Sequence, residues 1–286
     1  VYTVRVGKGD LALETGIPLL GDATRHAIRL APDSAEAHAR RSTYYHVAGE
    51  PLLALEHMEK ALALNPDNPL VLGYVAGGLA HRGRFDEAIE LQQRVVWSEP
   101  TSVLQHHNLV WFLLAAGRYA EAAVVAQQYR ALYPAGIGDE RELFVDVQIL
   151  QGNYEQALVQ TRAMPDGPAQ HRNLAIIHHA LGQQTEADAA LQRVLDADDD
   201  QAAIYTAEVF AQRGEKDAAM RQLVNSLDAE PAQNNLRRDT LWLLSPYLIT
   251  LRTDERWQAR YAAVLEARGY SKVLAWADGN KNQQRQ

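Results

Sequence analysis

Cysteine is absent from the 286 residues, which excludes disulfides, thiolate nucleophiles and thiolate-held zinc or iron-sulfur clusters. Oxidising and reducing compartments both tolerate such a chain, so the cytoplasm and the periplasm stay open as locations. Positive charge is also short: 28 Lys plus Arg face 36 Asp plus Glu, for a formal net charge of -8 and a pI near 5.7. A surface of that sign does not neutralise the phosphates of duplex DNA, and no nucleic-acid partner is expected. Long apolar runs are missing. Residues 101–117 lie in the longest uncharged stretch and contain Gln105, His106, His107 and Asn108, whereas a spanning helix needs about 18 apolar residues. No membrane insertion is expected. Catalytic signatures are missing too: there is no Gly-x-Ser-x-Gly elbow, no His-Glu-x-x-His helix and no glycine-rich dinucleotide turn. Val6-Gly7-Lys8 lacks the earlier glycine and the following Ser or Thr of a phosphate loop, so neither an enzyme nor a bound cofactor is expected. The chain opens on Val1 without a basic-then-apolar leader, which reads as a processed protein or a piece of a longer one. What remains is a soluble chain, 47% hydrophobic and 22% charged, with material for an ample core.

A period is present. Gly49, Gly83, Gly117, Gly152, Gly182 and Gly214 recur at steps of 34, 34, 35, 30 and 32 residues. Five residues after each stand Ala54, Ala88, Ala122, Ala157, Ala187 and Ala219, where a small side chain lets two helices approach closely. Pro66, Pro100, Pro134 and Pro231 lie 17 residues after four of these glycines and end helices that their missing N–H cannot continue. Pro32 fits an earlier, fainter unit. Between the marks the apolar residues follow a helical period, as in Leu52, Leu55, Met58 and Leu62. The block is therefore an antiparallel helix pair. One pair cannot bury its apolar face, whereas stacked pairs bury a continuous core, so the spacing implies a solenoid.

The units beginning at Ala35, Pro69 and Val103 now carry a resemblance. Glu59-Lys60-Ala61-Leu62-Ala63-Leu64-Asn65-Pro66 and Gly83-Arg84-Phe85-Asp86-Glu87-Ala88-Ile89 resemble the tetratricopeptide repeat, with its turn glycine, the aromatic two residues on, the small residue and the closing proline. The resemblance covers about residues 35–231. It implies an all-α, right-handed superhelical solenoid of six antiparallel helix pairs with a C-terminal helical cap. Where the family often has tryptophan, this chain has His38, Leu72, His106, Arg141, His171 and Ala203. The unit from Gly138 has no closing proline, and Met164-Pro165-Asp166-Gly167-Pro168 cuts its second helix short.

The expected organisation is a degenerate N-terminal repeat or a short hairpin over 1–34, six repeats over 35–231, capping helices over 232–276 and a polar, disordered tail over 277–286. Tyr2 to Val6 alternates like a strand and Gly7-Lys8-Gly9-Asp10 suits a hairpin turn, while Thr24, Ala27, Ile28 and Leu30 suit a helix. In the cap, Trp242, Tyr247, Trp257, Tyr261 and Leu265 supply the bulk that covers a last apolar face. The string from Ser245 to Trp257 resembles the closing segment of bacterial proteins whose repeats follow a transcriptional-regulator or nucleotide-cyclase domain. That likeness implies a sensory, regulatory or self-associating segment of a larger signalling protein.

In the repeat family the first helices of successive pairs line a concave groove, and the resemblance assigns the lining here. Ala39, Thr43 and His46 come first, then Gly73 and Gly77, then Leu104, His107, Asn108 and Trp111, and further on Glu142, Asp146, Arg172, Asn173, Ile176, His179 and Glu208. The expected function is a scaffold that binds another protein or a peptide there. Gly73, Gly77 and Gly78 weaken a helix by about 1 kcal/mol each against alanine. Their presence suggests a pocket shared with Trp111, and the competing reading is that they only accommodate bulky neighbours. Asn108 and Asn173 would bond a peptide backbone as the family's groove asparagines do. Glu142 and Asp146, four residues apart, would share one helix face and attract a basic segment. Chaperone-tail binding is disfavoured, because Ala39, Thr43, Tyr74 and Leu104 stand where that subgroup has its basic and Asn residues. The pairs His106-His107 and His178-His179 point about 100° apart on a helix and do not chelate through both rings. Buried, hydrogen-bonded histidines explain His38, His106 and His171 better, and no metal site is expected.

Overall fold

The computed structural model describes residues 13–80, 82–132, 140–197, 201–228 and 244–267. Tyr2 to Asp10, Pro134, Asp198-Asp199-Asp200, Pro231, Trp242 and the tail 277–286 lie outside them, as do the side chains of Arg141 and Leu265. Among the described residues there are fourteen α-helices, one 3-10 helix and no strand. In chain order they are α1 (Leu13–Leu30), α2 (Ala35–Val47), α3 (Pro51–Leu64), α4 (Pro69–Ala80), α5 (Phe85–Ser98), α6 (Val103–Ala115) and α7 (Tyr119–Leu132). There follow α8 (Glu140–Leu150), α9 (Tyr154–Arg162), α10 (Pro168–Ala180), α11 (Gln184–Leu195), α12 (Ala202–Gln212) and α13 (Lys216–Asp228). The 3-10 helix (Pro246–Leu251) and α14 (Glu255–Ala267) close the described chain. Two compact units result, residues 1–82 with 262–286 and residues 83–261.

The turn glycines explain the period. All six have positive φ, between 71° and 79°, a region an L side chain enters at about 1–2 kcal/mol. At Gly49 the amide donates to the His46 carbonyl and the Glu50 amide to the Tyr45 carbonyl, which satisfies two carbonyls that the helix end leaves bare. The same two bonds recur at Gly117, Gly152, Gly182 and Gly214. The alanine five residues on is buried at every turn, because it faces the preceding helix across the closest part of the pair. Side chains add cross-links: the Ser42 hydroxyl donates to the Ala54 carbonyl between α2 and α3 (2.6 Å). Between α5 and α6, buried Gln92 donates to the carbonyl and the side-chain oxygen of Gln105, both at 2.9 Å.

In the first unit α1 packs on α2. Arg41 donates to the Gly21 carbonyl (2.8 Å) and to Thr24 Oγ1 (3.1 Å), and its guanidinium lies over the rings of Tyr44 and Tyr45. A Cβ at Gly21 would stand 2.7 Å from Tyr44, so only glycine permits this approach. Pro32 follows the end of α1, as Pro66 and Pro100 follow α3 and α5.

In the second unit the first helices α6, α8, α10 and α12 pack side by side, each also packed on its own second helix. The short helix is α9, at nine residues. Carbonyls at and just past its end are met by Gln170, whose amide donates to Thr161 (3.2 Å) and Met164 (3.0 Å). The three histidines that replace tryptophan are buried and bonded. His38 meets His57 Nδ1 and the Pro32 carbonyl, both at 2.9 Å, His106 meets the Ser102 carbonyl, and His171 meets Asp166.

Candidate functional site

Four residues assigned to the groove converge in the second unit. Arg172 on α10 points from the middle of the row of first helices, its side chain 3% exposed. Its Nη2 donates to Glu142 Oε1 on α8 (2.7 Å). Its Nη1 lies 3.3 Å from Asp146 Oδ1 on α8 and 3.3 Å from Glu208 Oε2 on α12. Helix periodicity places Glu142 and Asp146 on one face, and packing of α8 and α12 on either side of α10 brings the third carboxylate in. The acidic pair expected to attract a basic partner is thus met by a cation of the chain itself.

This cluster is roofed by the segment after α13. The 3-10 helix packs against α12 and α6, across the row of first helices. The Tyr247 hydroxyl donates to Asp146 Oδ1 (2.7 Å) and the Ser245 hydroxyl to Glu208 Oε1 (2.6 Å). Gln212 donates to the Tyr247 carbonyl (2.8 Å). Arg252 donates to the Ala115 carbonyl at the end of α6 (2.6 Å), and its guanidinium stacks on Phe85. The rings of Tyr205 and Tyr247 lie 5.1 and 4.8 Å from the Arg172 guanidinium carbon, a favourable approach for a desolvated cation. Tyr247, Leu248 and Leu251 are fully buried, and Tyr247 joins the core of Val145, Ile149, Ala175, Ile176 and Val209.

Burial governs the protonation here. Loss of water pushes the Asp146 carboxyl up to about 7, against the opposing pull of Arg172. Burial also raises Glu208 and the hydroxyls of Tyr205 and Tyr247. Arg172 stays charged despite its burial, because three carboxylates surround it. Burial lowers Arg252 to about 10.

The other assigned residues fall elsewhere. His46 ends α2 with its ring edge-on to Tyr74, 5.7 Å between centroids. Gly73 and Gly77 lie on α4 of the first unit, and a Cβ at Gly77 would meet nothing within 4 Å, so no neighbour demands that glycine. Gly78 differs, since a Cβ there would stand 3.0 Å from Arg82 Nη1. On α6, Leu104 is exposed, and His107, Asn108 and Trp111 are half-buried on the same face at helical spacing. Asn173 is fully buried and its Nδ2 points at the Met164 sulfur (3.6 Å), so it is not presented to a peptide in this state. His179, near the end of α10, faces Gln184 at 3.4 Å. Tyr205, Ser245 and Tyr247 complete the cluster and were not assigned to it by sequence. A Ser-Pro-Tyr turn followed by spaced leucines, outside the repeat and without a repeat of its own to cover, was the available signal. No described helix is long and apolar enough to cross a membrane.

The architecture defined by these glycine-turned, alanine-packed helix pairs is the tetratricopeptide-repeat fold. A tetratricopeptide repeat protein from Parabacteroides merdae superposes with a TM-score of 0.56 at 14% identity, covering 85% of this chain and 96% of that one. The structure of PilF from Pseudomonas aeruginosa gives a TM-score of 0.51 at 19% identity, over 72% of this chain and 94% of that one. By sequence, the type IV pilus assembly protein PilF of Pseudomonas aeruginosa is 34% identical over 90 residues, 30% of this chain and 36% of that protein. The sequence likeness thus spans about a third of that relative's length. No family model matches the chain.

Proposed function

We propose that this chain is a non-catalytic protein-interaction scaffold that holds a peptide segment of another protein along its row of first helices. The observation that carries this reading is the grip of α6, α8, α10 and α12 on residues 245–252. It combines side-chain bonds to a backbone carbonyl and two hydroxyls with buried pockets for an aromatic and two leucines, the elements with which a groove recognises a peptide. The open part of the same face, Leu104, His107, Asn108 and Trp111, offers an apolar anchor, an aromatic and an amide to a partner. Similarity to a pilus assembly protein agrees with a role in holding other proteins together. Affinity on such a surface comes from a few anchors rather than from total area.

Crosslinking capture from the source organism's lysate tests the reading, with wild type set against an Asn108→Ala, Trp111→Ala variant whose helicity is unchanged. Partners held by wild type and lost by the variant are expected. Identical partners for both would move the binding surface away from α6.

A further inference from the structure

We infer that residues Ser245–Arg252 are a built-in ligand that occupies the acidic part of the second unit's first-helix face and yields it to a partner segment carrying positive charge. The inference rests on the peptide-binding reading above and adds a resident competitor and the chemistry of the partner that displaces it.

Charge complementarity carries the argument. Glu142, Asp146 and Glu208 surround one guanidinium, so three acidic side chains meet a single cation. The resident segment brings no further cation to them. It contributes two neutral donors, the hydroxyls of Ser245 and Tyr247. Glu208 Oε2 is buried, with Arg172 Nη1 3.3 Å away but no hydrogen bond, and Glu208 Oε1 has only the neutral Ser245 hydroxyl as its donor. A charged donor bonds a carboxylate about twice as strongly as a neutral one. An ammonium or guanidinium at the place of the Ser245 hydroxyl would give Glu208 Oε1 a charged donor and favour the ionised forms of Glu208 and Asp146.

The rest of the segment shows what else a competitor must bring. Tyr247, Leu248 and Leu251 are fully buried, and their apolar contacts are lost if the segment leaves with nothing in its place. A partner segment therefore needs an aromatic and spaced aliphatic side chains next to its cation. Such an exchange keeps the apolar contacts and improves the electrostatics. Specificity follows, because a basic segment without the aromatic leaves the Tyr247 pocket empty, and an aromatic one without the cation gains nothing over the resident.

Two fluorescently labelled peptides test this by anisotropy: residues 245–252 as they stand, and the same peptide with Ser245→Lys. The hosts are the full chain, its Tyr247→Ala variant, and Tyr247→Ala combined with Glu208→Gln, each checked for helicity by circular dichroism. Tyr247→Ala is expected to bind the lysine peptide at least tenfold more tightly than wild type does and more tightly than it binds the unaltered peptide. Glu208→Gln is expected to remove the difference between the peptides. If Tyr247→Ala does not fold, Ser245→Ala keeps the buried ring, and the same order of affinities is expected. Equal affinity of wild type and the opened variant would overturn the built-in ligand and leave the peptide-binding face standing. Equal affinity for the two peptides in every host would overturn the demand for charge. No binding of either peptide to any folded host would overturn the binding face itself.

Discussion

Replacing Arg172 by methionine would remove the one cation among three carboxylates while keeping most of the volume of its stem. Asp146 and Glu208 have side chains 2% and 7% exposed, so water does not take the place of the guanidinium. Breaking a buried ion pair from one side costs about 3–5 kcal/mol, because a charge is left uncompensated. The protein can escape part of that loss by keeping both carboxyls protonated, at about 1.4 kcal/mol for each pH unit above the unfolded carboxyl's own range. The loss should therefore be small in acid and grow with pH. Wild type shows the same sign in weaker form: Asp146 rises from 3.8 to about 7 on folding, so its folded state holds a proton that the unfolded chain has released between those values. The Asp146 contribution to stability is full below pH 3.8, falls as pH rises towards 7, and is level above it. Urea denaturation followed by circular dichroism at pH 5.5 and 8.5 measures both effects. A variant with the wild-type midpoint at pH 8.5, or with the same loss at both pH values, would refute the assignment of Arg172 as the counter-ion of this cluster.

Other expectations concern the repeat itself. Ala88→Leu forces a larger side chain into a fully buried helix contact and should lower stability by about 1–3 kcal/mol; an unchanged thermal melt would contradict the packing of that turn. Gly117→Ala places a side chain at φ 76° and should destabilise by about 1–2 kcal/mol. Gly77→Ala, with open space around its Cβ, should instead stabilise by about 1 kcal/mol, and shifts of one sign in both melts would show the two glycines to be equivalent. Burial, then His38 and Arg41, hold His57 below 6.5, so the unfolded chain takes up the proton first. Stability should fall as pH drops below 6.5, and an NMR titration finding the His57 ring at or above that value would remove this contribution.

The repeat was legible because its marks are local. A left-handed turn selects glycine, a close helix contact selects alanine, and both needs return with each pair at nearly fixed spacing. The breaks were legible for the same reason: Pro165 lies just past the end of α9 at Arg162, and Pro168 opens α10. The acidic cluster was half legible, since the four-residue spacing of Glu142 and Asp146 is a helix property. Its roof was not. Tyr247 and Asp146 stand 101 residues apart, no periodicity links them, and an aromatic after Ser-Pro reads as bulk for an end cap. The burial of Asn173 was hidden in the same way, because helical phase gives its direction and not what lies over it.

The return of residues 245–252 changes what kind of object the second unit is. A stack of repeats is close to one-dimensional, each pair answering only to its neighbours, so it can fray from either end and fold from any point. Here Tyr247 reaches back to Asp146 and Arg252 to Ala115, a separation of 137 residues in the second case. These ties close the line into a loop, so that loosening α6 or α12 is felt by both. The unit should then melt in one step rather than by fraying. On the ribosome, α6 to α13 emerge before the segment that covers them, and through that interval the acidic face of the growing chain stands open.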